Sequence, residues 1–336
     1  MESKSRVLVV GGGAIGGLLA WRLSHSTTHT VSLLCRSTYN QIKSHGIPIT
    51  SLQYGNATYH PESLHRTIDD AIAHATSFDY ILVTLKALPN IYDSSEVISK
   101  AVGPGTMILL FQNGIGVEEP FLKRFGKGNP VVSCVSFVSV CKENREEEGG
   151  RLGGWRLRHG GFTMVVAGFA NEQHTNEDLQ KLHNLFAEFQ RSGGIDCSIK
   201  SDIQVYRWQK QILNGSTNPV SVLSRLSCQE MVRHKRYRRM LEDVMAEIFA
   251  VAESVIKGKL PGTNGIVDPP AAISYIEGIE APVYTSMLED SLNKRHMETE
   301  VILKNPIDLA EKHGVAVPHM RALYESLLKI EQAYEK

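Results

Sequence analysis

The chain contains 336 residues, with 36 basic and 36 acidic side chains, so its formal net charge is zero. This length predicts two domains, and a composition of 42% hydrophobic and 21% charged residues is typical of a globular protein rather than a disordered one. The neutral balance argues against a nucleic-acid partner, because proteins that bind phosphate backbones carry a basic excess. A small-molecule enzyme is the favoured class.

The apolar runs and the cysteines both predict a cytoplasmic protein. The longest apolar runs are strand-sized, far below the roughly 18 residues that cross a membrane, so we expect no membrane partner. The cysteines are odd in number and form no CxxC pair, which argues against a disulfide framework and a metal site. They are Cys35, Cys134, Cys141, Cys197 and Cys228.

Short apolar runs alternate with helical patterns in the first part of the chain. The patterns predict strands at 6–10, 31–35, 81–85, 107–111, 131–140 and 162–168, and helices at 14–24 and 177–192. This alternation predicts the α/β class, with a Rossmann-type parallel sheet covered by helices. The polar segment 143–161 contains Glu146, Glu147 and Glu148, and we predict an exposed hairpin or loop there because like charges prefer solvent.

Helical patterns dominate from about residue 202. They predict helices at 203–218, 236–257, 286–312 and 320–334, and a loop over the proline- and glycine-rich segment 258–270. The change of pattern predicts a Rossmann-type domain of residues 1–200 and an all-helical domain of residues 201–336.

A glycine-rich turn separates the first predicted strand from the first predicted helix. In this context G-x-G-x-x-G indicates a dinucleotide site, and the matching residues are Gly11-Gly12-Gly13-Ala14-Ile15-Gly16. Here Gly11 permits the turn, Gly13 lets a pyrophosphate approach the backbone, and Gly16 lets helix and strand pack closely. The helix N-terminus at Ala14 and Ile15 offers free N–H groups to the phosphates. A structural turn without a nucleotide is the alternative.

The end of the second predicted strand indicates which dinucleotide binds. An NAD site usually has Asp or Glu there, to accept a hydrogen bond from the ribose 2′-hydroxyl. This chain has Arg36, whose guanidinium can form a charge-assisted bond with a 2′-phosphate. NADP is therefore favoured over NAD, and we assign its binding to residues 1–200. A solvated arginine at a strand end is the alternative.

Two polar segments follow the next buried strands. Lys86 comes just after the strand predicted at 81–85, and Asn113 comes after the strand predicted at 107–111. Both positions fall at the carboxyl edge of the sheet, where α/β proteins bind ligands. On its own, Asn113 with the following glycine is also compatible with an ordinary turn.

One face of the helix predicted at 203–218 carries three polar residues. Lys210, Asn214 and Asn218 are spaced at i, i+4 and i+8, which drifts by only about 40° per step on an α-helix. Because asparagine is a poor choice for a helix surface, we favour a functional face over a solvated one. Pro219 is predicted to limit the helix.

These features, in this order, resemble the ketopantoate reductase (2-dehydropantoate 2-reductase) family of NADPH-dependent reducers of a branched 2-oxo acid. The resemblance covers nearly the whole chain and implies a fold like that of 6-phosphogluconate dehydrogenase. Its motifs are the glycine loop, V-T-L-K-A around Lys86, N-G-x-G from Asn113, W-x-K-x-x-x-N-x-x-x-N-P around Lys210, S-M-L-x-D from Ser286 and H-G-x-x-x-P from His313.

Carried over by position, the resemblance implies a catalytic role for Lys210, which protonates the keto oxygen as hydride arrives. It implies that Glu298 contacts the substrate and supports turnover. Without the resemblance, a surface salt bridge is the ordinary interpretation of Glu298, because basic residues surround it.

The resemblance also implies the remaining contacts. Asn214 and Asn218 would hold the substrate's oxygens, and Ser286 its carboxylate. Lys86 and Asn113 would lie where the cofactor's ribose and nicotinamide meet the substrate.

Three functional hypotheses follow. The first is reduction of 2-dehydropantoate to pantoate in pantothenate synthesis, with NADPH as cofactor. The second is the same chemistry on another 2-oxo acid or a secondary-metabolite ketone. The third, a non-enzymatic NADP sensor, is disfavoured by the presence of both Lys210 and Glu298. The expected partner is a small-molecule substrate, and pairing of the helical domain into a homodimer stays open.

Overall fold

The computed structural model describes residues 4–75, 77–146, 152–171 and 173–334. The chain divides into two compact units. The sheet unit comprises Met1–Leu85, Asp93–Gln112 and Glu118–Ile203, and the helical unit comprises Lys86–Tyr92, Asn113–Val117 and Gln204–Lys336. Two short segments that follow strands therefore belong to the helical unit. The predicted boundary near residue 200 stays a prediction.

The sheet unit alternates strands and helices along the chain. Its elements are β1 (Ser5–Val10), α1 (Ala14–Leu23), β2 (His29–Leu34), α2 (Tyr39–His45), β3 (Ile47–Ser51), β4 (Ala57–Tyr59), β5 (Ser63–His65), α3 (Ile68–His74), β6 (Tyr80–Val83), α4 (Ser94–Ile98), a 3₁₀ turn (Ser99–Ala101), β7 (Met107–Leu110), α5 (Glu119–Phe125), β8 (Val131–Glu146), β9 (Leu152–Phe169), α6 (Asn176–Arg191) and β10 (Asp196–Ile199).

Six neighbouring strands confirm the predicted Rossmann-type sheet. They are parallel and lie in the order β5-β2-β1-β6-β7-β8. In such a sheet the reversal of strand order beside β1 marks the ligand-binding edge, at the carboxyl ends of the strands. The sheet extends beyond β8 to ten strands, because β9 pairs antiparallel with β8 and parallel with β3 and β10.

The prediction of an exposed hairpin or loop at 143–161 is confirmed as to the hairpin, but wrong as to exposure for several residues of β9. A hairpin forms, but β8 continues to Glu146 and β9 begins at Leu152. In β9, Leu157 is fully buried and His159 is 1% exposed. These two residues are two positions apart, so they share one face of the strand, and that face is covered. Of the glutamate run, Glu147 and Glu148 lie outside the described residues.

The helical unit confirms the predicted all-helical pattern after residue 202. Its elements are α7 (Ile203–Ser224), α8 (Cys228–Arg233), α9 (Lys235–Ile256), a 3₁₀ turn (Thr263–Gly265), α10 (Pro269–Glu277), α11 (Ser286–Leu292), a π-helix (Glu300–Lys304), α12 (Asn305–His313) and α13 (Pro318–Gln332). Among the described residues, no helix combines the length and the apolar character that a membrane crossing requires.

Helix α7 continues past the proline that was expected to limit it. Pro219 lies inside the helix, which ends only at Ser224. The residues that follow it are apolar and buried, with Val220 at 0% and Val222 at 5% exposure. The free energy gained by burying this extra turn in the core offsets the cost of the backbone hydrogen bond that proline cannot make.

The single helix predicted at 286–312 is instead interrupted. Helix α11 ends at Leu292, and Lys294 adopts a left-handed conformation with φ 51°. The N–H of Arg295 then donates to the carbonyl of Asp290 at 2.8 Å, which closes the end of the helix. Helical structure resumes only after Glu298.

The burial of β9 can be tested with two leucines. Leu157→Ala is expected to lower the free energy of unfolding by about 2–5 kcal/mol, because it leaves a cavity under α1. Leu52→Ala serves as the control, since Leu52 is 84% exposed and its loss should cost no more than about 0.5 kcal/mol. Urea denaturation measures both values; equal losses would contradict the described packing.

Candidate active site

The glycine loop joins β1 to α1 in the sheet unit. Gly11 has φ 120°, a conformation that residues with a side chain rarely adopt. A Cβ on Gly16 would overlap the carbonyl oxygen of Gly11, so only glycine allows this close approach. A Cβ on Gly13 would meet no atom within 4 Å, and this side of the loop is open to a ligand.

Thr84, just after β6, holds this loop from the neighbouring strand. Its hydroxyl lies 3.0 Å from the carbonyl oxygens of both Val10 and Gly11, to which it donates. Thr84 belongs to the V-T-L-K-A motif, and its contact with the glycine loop was not predicted. The sequence signal that could have indicated this contact is its position at the end of β6, the strand that pairs with β1.

The N-terminus of α1 has no side-chain cap. Its N-cap residue is Gly13, and no acidic residue lies in its first turn. The first N–H groups of a helix have no acceptor within the helix, so those at Ala14 and Ile15 are available to an anion.

Arg36 lies two residues beyond the end of β2, on the same side of the sheet as the glycine loop. The N–H of Gly11 donates to the carbonyl of Leu34 at 2.9 Å, which joins the two strand ends. Arg36 is exposed, and its guanidinium forms no ion pair with any residue that the structure describes.

Lys210, Asn113 and Glu298 form one hydrogen-bonded cluster in the helical unit. The ammonium group of Lys210 donates to Oδ1 of Asn113 at 2.8 Å. The side chain of Asn113 also bonds the Glu298 carboxylate, which in turn accepts the N–H of Ala87 at 2.9 Å. The structure thus brings together a lysine, an amide and a carboxylate from three distant parts of the sequence.

Burial changes the protonation of both ionisable groups in this cluster. Desolvation lowers the pKa of Lys210 to about 8, aided by the positive charge of Arg207 and opposed by Glu298. Desolvation raises the pKa of Glu298, opposed first by the Lys86 ammonium and then by the hydrogen bond from Ala87. A lysine with a pKa near 8 can both hold and release a proton close to neutral pH.

Lys86 pairs with an acid that the sequence analysis did not select. Its ammonium group donates to the carboxylate of Asp290, and Arg295 contacts the other carboxylate oxygen at 3.0 Å. Asp290 is 2% exposed and ends the S-M-L-x-D motif. Burial lowers the pKa of Lys86, while the charge of Glu298 opposes that shift.

The two asparagines of α7 carry unused amide groups. Asn214 is half-buried and Asn218 is buried, and neither side chain hydrogen-bonds to another described residue. They share the helix face of Lys210 by spacing.

The structure does not bring Ser286 into the hydrogen-bonded cluster around Lys210. It is exposed at the first position of α11, while the neighbouring Thr285 caps that helix by accepting the N–H of Leu288 at 3.1 Å. No described hydrogen bond joins the Ser286 side chain to the lysine cluster.

Backbone contacts that the sequence analysis missed hold Asn113 in place. Arg207, one turn before Lys210 in α7, donates to the carbonyl of Gly114 at 2.9 Å. The N–H of Ile115 donates to the carbonyl of Val301 in the π-helix at 2.8 Å. No sequence pattern predicts such partners, because nearly every residue has the same backbone N–H and carbonyl groups.

Sequence profiles of a known enzyme family match both units. The profile described as Ketopantoate reductase PanE/ApbA matches residues 7–169, and the one described as Ketopantoate reductase PanE/ApbA C terminal matches residues 202–331. The chain belongs to the ketopantoate reductase family. Membership supports oxidoreduction at a CH–OH group with a nicotinamide cofactor.

Individual proteins show the same similarity. The Meiotically up-regulated gene 72 protein of Schizosaccharomyces pombe is 26% identical over 96% of this chain, which spans only 56% of that protein's length. The crystal structure of 2-dehydropantoate 2-reductase from Methylococcus capsulatus is 29% identical, with a TM-score of 0.80 and 98% coverage of both chains. A D-mandelate dehydrogenase, solved with NADH and anilino(oxo)acetate, shares the fold at 20% identity, with a TM-score of 0.80 and 98% and 100% coverage of the two chains.

The electrostatic coupling within the cluster can be tested directly. Glu298→Gln is expected to move the pKa of Lys210 below about 8, because the variant removes the negative charge that favours the ammonium form. Lysine-selective NMR over a pH series measures this titration. Glu300→Gln, which changes a carboxylate bonded to Tyr324, is the matched control. An unchanged titration of Lys210 in Glu298→Gln would contradict the coupling.

Proposed function

We propose that this protein reduces a 2-oxo acid with NADPH, and that its substrate is 2-dehydropantoate, converted to pantoate in pantothenate synthesis. The observation that carries the proposal is the ammonium group of Lys210, bonded to Asn113 beside the buried Glu298 carboxylate. The cluster lies in a chain of the ketopantoate reductase family. It supplies a positive charge and a proton where a ketone would gain negative charge.

Lys210 is the proposed proton donor. Its pKa of about 8 leaves the side chain mostly protonated at neutral pH, yet makes it a stronger acid than an ordinary lysine. When bound, a reduced nicotinamide cofactor would supply a hydride to the carbonyl carbon and would be left in its oxidised form. The carbonyl oxygen takes the proton from Nζ, which leaves a hydroxyl on the product and a neutral amine that solvent reprotonates.

Glu298 and Asn113 are the groups that support this lysine. The Glu298 carboxylate opposes the loss of the lysine's proton before the reaction. Asn113 fixes the direction of the ammonium group by accepting one of its three N–H bonds. We also assign Glu298 a contact with the substrate, as in the family pattern.

The substrate's oxygens are assigned to groups that hydrogen-bond to no other described side chain. The amides of Asn214 and Asn218 lie on the same helix face as Lys210, one and two turns further along α7. Ser286 is assigned to the substrate carboxylate. This assignment follows the family pattern, and the exposure of Ser286 at the first position of α11 is compatible with it.

The glycine loop is the proposed cofactor site. The open side of Gly13, the uncapped start of α1 at Ala14 and Ile15, and the close packing at Gly16 fit a bound pyrophosphate. Arg36 would bind a 2′-phosphate. The proposed cofactor contacts of Lys86 and Asn113 would use groups that already bond Asp290 and Lys210.

A second candidate is reduction of a bulkier 2-oxo acid by the same machinery. The D-mandelate dehydrogenase that shares this fold was solved with NADH and anilino(oxo)acetate, an aromatic oxo acid.

Replacement of the proposed acid tests the mechanism. Lys210→Ala is expected to lower kcat on the order of a hundredfold or more, the range for loss of a general acid. In the unmodified enzyme kcat for reduction should fall as the pH rises through about 8, because only the ammonium form donates a proton. Stopped-flow measurement of NADPH oxidation gives both the kcat of the variant and the pH dependence of kcat in the unmodified enzyme. An unchanged kcat in the variant would contradict the assignment.

A substrate panel separates the two candidates. NADPH oxidation measured with 2-dehydropantoate and with bulkier 2-oxo acids should be fastest with 2-dehydropantoate. No rate with it, beside a clear rate with a bulkier acid, would favour the second candidate. The same panel with NADH should give a lower kcat/KM throughout, because Arg36 has no phosphate to bind.

A further inference from the structure

A second arginine emerges beside Arg36 at the cofactor edge of the sheet. Strand β5 is the parallel neighbour of β2, with Leu34 opposite His65 in register. The N–H of Cys35 donates to the carbonyl of His65 at 3.0 Å, so the pairing continues to the strand ends. Arg66 directly follows β5 and lies opposite Cys35, one position before Arg36 in register, so both arginines follow neighbouring strands at the same edge of the sheet.

The ring of Tyr39 lies close to two positively charged side chains at this edge. The guanidinium carbon of Arg66 lies 5.7 Å from the ring centre, and Nζ of Lys43 lies at the same distance of 5.7 Å. Both are within the range of a cation–π contact. The N–H of Tyr39 donates to the carbonyl of Arg36 at 3.3 Å, which ties the ring to the other arginine.

The positive side chains at this edge are not paired with carboxylates of the described residues. Neither arginine nor Lys43 forms an ion pair within the described chain. Of the two acids that follow Arg66, Asp69 pairs with Lys100 at 2.7 Å, and the Asp70 carboxylate bonds Thr67 and the backbone N–H of Arg66 at the cap of α3, not a guanidinium. Positive side chains that form no ion pair with a carboxylate attract a multiply charged anion.

We propose that Arg66 is a second determinant of cofactor choice and binds the 2′-phosphate of NADP(H) together with Arg36, with Lys43 adding a third positive charge. This inference rests on the proposed cofactor site at the glycine loop. A phosphate monoester carries a charge of about −1.5 to −2 at pH 7 and has three acceptor oxygens. One bidentate arginine occupies two of these oxygens, and Arg66 supplies donors for the remaining one.

The test compares nucleotides that differ in the 2′-phosphate alone. Isothermal titration calorimetry of NADP⁺ and NAD⁺, with 2′,5′-ADP and 5′-AMP as fragments, is applied to the full chain and to Arg66→Gln. The variant is expected to bind NADP⁺ and 2′,5′-ADP on the order of tenfold more weakly, the usual effect of one charge-assisted bond. Its affinity for NAD⁺ and 5′-AMP should change less than twofold. Arg66→Lys, which keeps the charge, should recover part of the loss.

Lys127→Gln is the matched control. Lys127 is exposed in the turn before β8, at the amino edge of the parallel strands and opposite the two arginines, so it should leave all four affinities unchanged. Equal weakening of NADP⁺ and NAD⁺ in Arg66→Gln, or no weakening, would overturn the role of Arg66. If the unmodified protein binds neither dinucleotide, the proposed cofactor site itself fails.

Discussion

Lys210 carries a positive charge into the helical unit, and that charge has to be solvated by the protein. Burying an unpaired ammonium group costs several kcal/mol, so the fold has to supply acceptors at fixed positions. Asn113 supplies an oxygen at 2.8 Å and Glu298 supplies a negative charge. Since Asn113 and Ala87 lie in short segments that follow sheet strands, this requirement explains why those segments pack with the helices.

Two departures from regular helix structure determine where the Glu298 carboxylate lies. The interruption after α11, with Lys294 in a left-handed conformation, ends one helix before Glu298, and the π-helix begins two residues after it, at Glu300. A π-helix widens the backbone, and such segments are frequent at functional sites. Here the carbonyls of Val301 and Ile302 accept hydrogen bonds from Ile115 and Gln211. The same irregular stretch thus holds both the segment of Asn113 and the helix of Lys210.

Local patterns made much of the fold predictable. The glycine loop, the parallel strands and the helix face of Lys210 follow from spacing within a few residues, and the structure has a Rossmann-type sheet and a helical unit as expected. The burial of Leu157 and the helix beyond Pro219 were not predictable, because both depend on partners distant in sequence. The pairing of Lys86 with Asp290 spans 204 residues and leaves no local signal.

The most direct test of the account is a crystal structure of the ternary complex with NADP⁺ and the 2-oxo acid that the enzyme reduces fastest. The keto oxygen is expected within about 2.7–3.1 Å of Nζ of Lys210, with Asn113 still bonded to that nitrogen. A keto oxygen bonded to a different donor, with Lys210 directed away from the substrate, would contradict it.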